Sequence, residues 1–131
     1  EKMMEPSGEF GWDDRLWGFG GADILIGDAN GSTFDAGTGN DIILAGDGND
    51  TIVWNANNAT GTSNNNSDGL DVIDGGAGAD DTFVINGNTN NAVAETYRIY
   101  SRTAADAAGL VVINPDAEIV ITRGGTTSAF I

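Results

Sequence analysis

The sequence predicts an all-β fold: a coil of very short parallel strands, followed by a short β-rich segment. Three observations lead there. A nine-residue phrase recurs, clearest in "AGTGNDIIL" and "AGDGNDTIV" at 36–53. A large apolar residue stands two places after an aspartate slot in five successive copies, as Leu16, Leu25, Phe34, Ile43 and Ile52. Glycine crowds the residues just ahead of each slot. A sustained short period marks a repeat architecture, in which each unit buries its apolar side only against its neighbours.

Each copy has two halves. The Gly-rich hexads "GFGGAD", "AGTGND" and "AGDGND" suit turns with left-handed backbone angles, which β-branched residues adopt only at a cost. The triads Ile-Leu-Ile, Ile-Ile-Leu and Thr-Ile-Val suit three-residue strands whose middle side chain faces inward. The chain then reverses side at every turn, so two nonapeptides complete one coil. Same-side strands lie 18 residues apart and stack in parallel.

The slots run Asp14, Asp23, Ser32, Asp41 and Asp50, and the grid restarts at Asp71 and Asp80. Between the two runs lies "NANNATGTSNNNSDG", residues 55–69, almost entirely small and polar. Asp50 and Asp71 are 21 residues apart, which reads as one nonapeptide plus a 12-residue surface excursion. That register stacks Asp71 over Asp41 and Asp80 over Asp50. The excursion itself reads as flexible filler or as a carbohydrate-contacting loop.

The outward strand positions define two faces. One carries Arg15, Trp17, Thr33, Asp35, Thr51 and Val53 and is mixed. The other carries Ile24, Ile26, Ile42, Leu44 and Val72, too apolar to be left in water, and it is expected to be covered by the C-terminal part or by a neighbouring domain. Downstream, "TFVING" leads into segments 95–103, 109–115, 118–125 and 127–131, which read as antiparallel strands with turns at Asn114-Pro115-Asp116 and Gly124-Gly125. They are expected to cap the roll, since solenoids need protected ends.

Composition narrows the chemistry. The 131 residues include no cysteine and no histidine, which removes disulfides, thiolate sites and the commonest zinc ligand. The net charge of −15 argues against nucleic-acid partners, and no run is long and apolar enough to span a membrane. The chain starts "EKMMEP" and stops on "TTSAFI", and it reads as a fragment of a longer protein. Residues 1–86 hold 16 acidic side chains against Lys2 and Arg15, whereas 87–131 hold 4 against 3.

Acidity concentrated in a coil with an 18-residue repeat puts carboxylates in columns, Asp23 over Asp41 on one edge and Asp14, Ser32 and Asp50 on the other. Such columns repel unless a cation lies between turns. Carboxylate oxygens together with the outward carbonyls of Gly-rich turns make an all-oxygen cage, the preference of calcium with its 6–8 ligands; magnesium wants a smaller regular octahedron.

"AGTGNDIIL", "AGDGNDTIV" and "GGAGADDTF" resemble the nonapeptide of the RTX, or haemolysin-type, calcium-binding repeat family. The resemblance covers about residues 9–86. It implies a right-handed parallel β-roll over 1–86, with 87–131 as its cap. It also implies that each turn's aspartate binds calcium with backbone carbonyls of its own turn and of the turn one coil later. The aspartates carried over are Asp14, Asp23, Asp41, Asp50, Asp71 and Asp80. The implied carbonyl donors are Gly18 and Gly20 in one turn, Gly27 in the next, and Ala36, Thr38 and Asn40 in the third. Ala45, Asp47 and Asn49 follow in the fourth, with Gly75 and Ala77 in the last. About 3–5 ions are implied between successive turns. Two copies depart from the pattern: Trp12 stands where glycine is expected, and Ser32 replaces the aspartate with Asn30 ahead of it, which should weaken the site there.

The function implied is a calcium-binding module of a protein secreted by a Gram-negative bacterium through a type I system, disordered without the ion and folding outside the cell. As an isolated module it is expected to be monomeric, with neighbouring domains of the same polypeptide as partners. The alternative is an adhesive, surface-glycan-binding module using the excursion and Trp12, Trp17 or Trp54, each of which otherwise reads as packing. No catalytic role is expected. The pairs Asp13/Asp14 and Asp80/Asp81 are sequence neighbours in turns, not residues across a cleft.

Overall fold

The computed structural model describes residues 2–4, 14–56, 68–87, 96–112 and 114–123. The first copy's Trp12 and Asp13, the interior of the excursion and the last expected strand, 127–131, lie outside the described residues. Two compact units are present, Glu1–Thr89 and Asn90–Ile131.

The first unit is a parallel β-roll. Its strands are β1 (Lys2–Met4), β2 (Arg15–Trp17), β3 (Ile24–Ile26), β4 (Thr33–Asp35), β5 (Ile42–Leu44), β6 (Thr51–Asn55), β7 (Val72–Asp74) and β8 (Thr82–Asn86). Odd strands form one sheet in the order β1-β3-β5-β7 and even strands the other, β2-β4-β6-β8. Every neighbouring pair is parallel, with Ile24 opposite Ile42 and Arg15 opposite Thr33, the 18-residue step of the repeat. The alternation between sheets follows from the turns: each carries the chain across to the opposite sheet, so consecutive strands lie in different sheets.

The core is a single file of the residues two places after each slot. Leu16, Leu25, Phe34, Ile43 and Ile52 are all buried, joined by Ala36 and Ala45, with Ile73 and Phe83 packed against them. Three-residue strands give each coil only one large inward side chain per sheet, so the core is thin. Burying such a side chain contributes about 1.5–3 kcal/mol, set against roughly 1–2 kcal/mol of backbone entropy for every residue ordered. Strands of this length therefore need another source of stability.

The turns close by hydrogen bonds to the coil above or below. Thr38 N donates to Phe19 O at 3.0 Å, Asp47 N to Asp28 O at 3.0 Å and Ala77 N to Gly46 O at 3.0 Å. Gly37 and Gly46 occupy the left-handed region at φ 82° and 99°, and a Cβ on either would overlap the carbonyl stacked against it. Phe19 holds the equivalent place in an earlier turn at φ 71°, an uncommon angle for a non-glycine residue.

The excursion adds the 12 residues expected. Ile42 pairs with Val72, 30 residues on, and Asp71 stacks over Asp41. Its neck is tied where the chain leaves and returns: Asn55 N donates to Asp68 Oδ2 at 2.6 Å, Asn55 Nδ2 to the same atom at 3.0 Å, and Asp68 N to Asn55 O at 3.0 Å. Trp54 is buried beside this neck, its Nε1 donating to Gly69 O at 3.2 Å, which removes it as an exposed stacking ring.

The expected register is corrected in two places. On the even-numbered sheet the step after the excursion is 31 residues, with Thr51 opposite Thr82, so Asp80 does not stack over Asp50. "TFVIN" forms β8 and extends the parallel roll to Asn86. Ile24, Ile42 and Leu44, on the apolar face read from the sequence, are 38–40% exposed. At the N-terminus, β1 pairs with β3 at a 22-residue offset, outside the grid read from the sequence.

The second unit holds β9 (Tyr97–Ser101) and β10 (Ile119–Arg123), antiparallel as expected, with Val120 opposite Tyr100. Between them the chain forms a helix, α1 (Arg102–Ala107), where strand had been expected to run on to residue 103. The cause is local: the Ser101 side chain accepts from Ala104 N, an N-cap, and the following Ala-rich segment favours helix. Residues 109–112 are not a strand, with only an isolated bridge at Val111. Ala105 and Val120 are the buried centre of this unit, with Tyr100, Leu110 and Val112 around them.

Candidate metal centre

Two columns of acidic side chains run along the two turn edges of the roll, and one contact repeats down both. A column residue's Oδ1 accepts from the backbone N–H of the column residue one coil earlier. Asp41 accepts from Asp23 N at 2.8 Å, and Asp71 from Asp41 N at 3.0 Å. On the other edge Asp50 accepts from Ser32 N at 2.8 Å, and Asp81 from Asp50 N at 3.0 Å. The stacked strands fix this geometry, since each slot lies one residue before a strand held in 18-residue register.

Only one oxygen of each carboxylate is used this way. Asp41 and Asp50 are each 1% exposed, and their Oδ2 atoms are buried without a hydrogen-bond partner. A buried acceptor left so costs about 1–3 kcal/mol, more when charged. Burial raises the pKa of Asp41, Asp50 and Asp35, and pushes Asp68 up to about 7 and Asp71 up to about 8. Neighbouring carboxylates raise the column residues further: Asp23 acts on Asp41, and Asp41 and Asp68 on Asp71. Among these groups the opposing charge of a side chain is seen at Asp35, from Arg15. The columns thus hold more negative charge than the protein's own bases offset.

The glycines open oxygen-lined spaces beside the carboxylates. A Cβ on Gly18 would overlap Ala36 O and lie 2.8 Å from Asp23 Oδ2. One on Gly27 would overlap Ala45 O, one on Gly31 would reach Asn49 O at 2.5 Å, and one on Gly75 would lie 2.9 Å from Asp81 Oδ2. Among the described residues no three acidic side chains converge on one point, so a cation here would need carbonyls as well as carboxylates. Buried unpartnered carboxylate oxygens beside carbonyl-lined gaps suit a hard cation with a high coordination number.

The sequence-selected residues distribute as follows. Asp23, Asp41 and Asp71 share one column, and Asp50 stands in the other below Ser32. Asp14 is exposed at the head of that column, its carbonyl accepting from Thr33 N at 2.7 Å. Gly20 bridges Thr38 and Asp47 bridges Ala77 across the stacked turns. Asn40 and Asn49 act through their side chains as well, Asn40 Oδ1 accepting from Leu70 N at 3.2 Å and Asn49 Oδ1 from Ala79 N at 3.3 Å. Asp80 is brought to neither column; its N–H donates to Asn49 Oδ1 at 3.3 Å and its side chain is exposed. Asp81 takes the column place. The sequence signal for it was available: Phe83, the apolar residue of this copy, stands two places after Asp81, and Thr82 two after Asp80.

A family model for the RTX calcium-binding nonapeptide repeat matches the chain in 4 copies, over residues 13–34, 30–58 and 67–83. No curated protein and no solved structure matches it.

Proposed function

This chain belongs, through residues 13–83, to the RTX calcium-binding nonapeptide-repeat family, and we propose on that basis that it is a calcium-dependent folding module of a secreted bacterial protein. The observation that carries the proposal is the pair of buried column carboxylates, Asp41 and Asp50, whose Oδ2 atoms lack a hydrogen-bond partner. Asp23, Asp41 and Asp71 would hold ions on one edge, and Asp14 and Asp50 on the other, each with carbonyls of the adjoining turns. Bound calcium supplies positive charge and a set of oxygen bonds that tie each turn to the next. The protein's own part is to stack the turns in register, leave the carbonyls clear of Cβ atoms and exclude water from the carboxylates.

Linkage sets the scale. An ion at ~100-fold over its dissociation constant adds about 2.7 kcal/mol per site. Three to five such sites add about 8–14 kcal/mol, as much as a typical net stability of roughly 5–15 kcal/mol, so the ion decides whether the thin core folds at all. Extracellular modules bind calcium at ~10⁻⁴–10⁻³ M, which keeps such a chain unfolded inside the cell and folds it on export. Titration of the chelated chain, followed by circular dichroism and calorimetry, is expected to show β structure appearing cooperatively at ~10⁻⁴–10⁻³ M calcium with 3–5 ions bound. A chelated sample that keeps the full β spectrum at neutral pH overturns the proposal.

One observation favours a second, additional role in surface adhesion. Trp17 and Phe19 are 45% and 78% exposed with ring centroids 6.4 Å apart, and the Arg15 guanidinium lies 5.1 Å over the Trp17 ring. Exposed, pre-ordered rings suit stacking on a sugar face. Retention of the calcium-loaded chain on polysaccharide resin, lost in Trp17→Ala, is the expected result; unchanged retention in that variant removes the reading.

A further inference from the structure

We infer that the ion-binding carboxylate of the last turn is Asp81, and that Asp80, which the repeat motif would select, lies outside the site; the inference rests on the calcium reading above.

The turn 75–81 contains one residue more than its counterparts. Asp47 bridges Ala77 at a 30-residue step, yet Thr51 pairs with Thr82 at 31, so the extra residue enters between Ala77 and Thr82. The strand register decides which aspartate gains the column. Phe83 is the apolar residue of this copy and pairs with Ile52 of the core file. Burying Phe83 rather than Thr82 fixes β8, and the residue before β8 is then Asp81. The displaced residue is taken up by Asn49, whose Oδ1 accepts from both Ala79 N and Asp80 N at 3.3 Å. On the other edge the equivalent contact, Leu70 N to Asn40 Oδ1, is made by the residue just before the column aspartate Asp71, so Asp80 occupies the pre-column place.

Three observations make Asp81 a ligand position and not merely an acid nearby. Its Oδ1 accepts from Asp50 N at 3.0 Å, the contact that Asp41, Asp71 and Asp50 each make with the column residue one coil earlier. Asp50, one coil earlier, is 1% exposed and keeps its Oδ2 buried without a hydrogen-bond partner. The space beside Asp81 is open because Gly75 and Gly78 lack side chains: Cβ atoms there would lie 2.9 Å from Asp81 Oδ2 and 2.6 Å from Asp81 Oδ1. Gly48 O borders the same space, since the Gly78 Cβ would overlap it. A calcium ion between the 45–50 and 75–81 turns therefore takes Asp81 as its carboxylate from the later turn. Asp81 is exposed where Asp50 is buried, so this site is wetter than the one at Asp50 and fills after it.

The test uses the full 131-residue chain and calcium alone. Asp81→Asn is expected to bind one ion fewer by calorimetry and to need several-fold more calcium for its β spectrum, whereas Asp80→Asn keeps the wild-type stoichiometry and midpoint. Gly78→Ala, which crowds Asp81 Oδ1 without removing a charge, is expected to lose the same ion. Loss of an ion from Asp80→Asn, or an unchanged count in Asp81→Asn, overturns the assignment. Should Asp81→Asn fail to fold at any calcium level, the Asp80→Asn count still decides. A wild-type chain that binds no calcium overturns the calcium reading itself, a result distinct from a wild type that binds its ions without Asp81.

Discussion

Asp41→Asn is expected to destabilise the calcium-loaded protein by about 3–5 kcal/mol while leaving the chelated chain no less ordered than wild type. The two effects share one atom. Asn keeps an Oδ1 acceptor for Asp23 N, now at 2.8 Å, but replaces the buried, unpartnered Oδ2 with an amide nitrogen that repels a cation. Asp41 lies between Asp23 and Asp71 in its column, so its loss touches the ion on either side. At about 2.7 kcal/mol per well-filled site, weakening two accounts for the size. Without calcium the same change removes a buried negative charge that burial and Asp23 disfavour. Urea unfolding at 10 mM calcium and circular dichroism in chelator measure the two signs. Equal destabilisation in both conditions would mean that Asp41 serves packing, not ion binding.

The second large effect is that acid should partly substitute for calcium. Burial pushes the folded-state pKa of Asp71 up to about 8 and that of Asp68 up to about 7, against an ordinary value of 3.8. Between those values the folded form binds more protons than the unfolded chain, so stability rises as pH falls through about 8 and 7 and the gain is complete below 3.8. The chelated chain is expected to be least ordered above pH 8 and to gain β structure on titration toward pH 4. With calcium present the slope reverses, because protons compete with the ion for the same oxygens. A chelated chain whose spectrum is flat from pH 8 to pH 4 would show that these buried carboxylates do not limit folding.

What was legible in the sequence was periodic. The inward residues and the slots repeat, so Leu25, Phe34 and Ile43 announce the core and Asp23 and Asp41 their column without any knowledge of the backbone. The misreadings fall where the period breaks. Asp80 and Asp81 are adjacent carboxylates, and the choice between them rests on burying Phe83, a tertiary preference weaker in the row than the glycine pattern ahead of Asp80. β1 pairs at a 22-residue offset, so it carries no periodic signal. The helix after Ser101 had its own markers, an N-cap serine and alanines ending at Gly109 with φ 69°, but the preceding Tyr-Arg-Ile-Tyr run drew the strand assignment past them. The tied neck was illegible for another reason: Asn55 and Asp68 lie in low-complexity sequence, and only folding brings them within 2.6 Å.

That neck has an evolutionary consequence. Because the chain departs at Asn55 and returns at Asp68 through one doorway, whatever is spliced between them leaves the coils on either side in step. The roll is in this sense a scaffold with a port, able to accept foreign sequence of almost any length, since doubling a loop costs only about 0.6 kcal/mol. New surface chemistry can then be acquired there by insertion, without disturbing the stacked turns on either side.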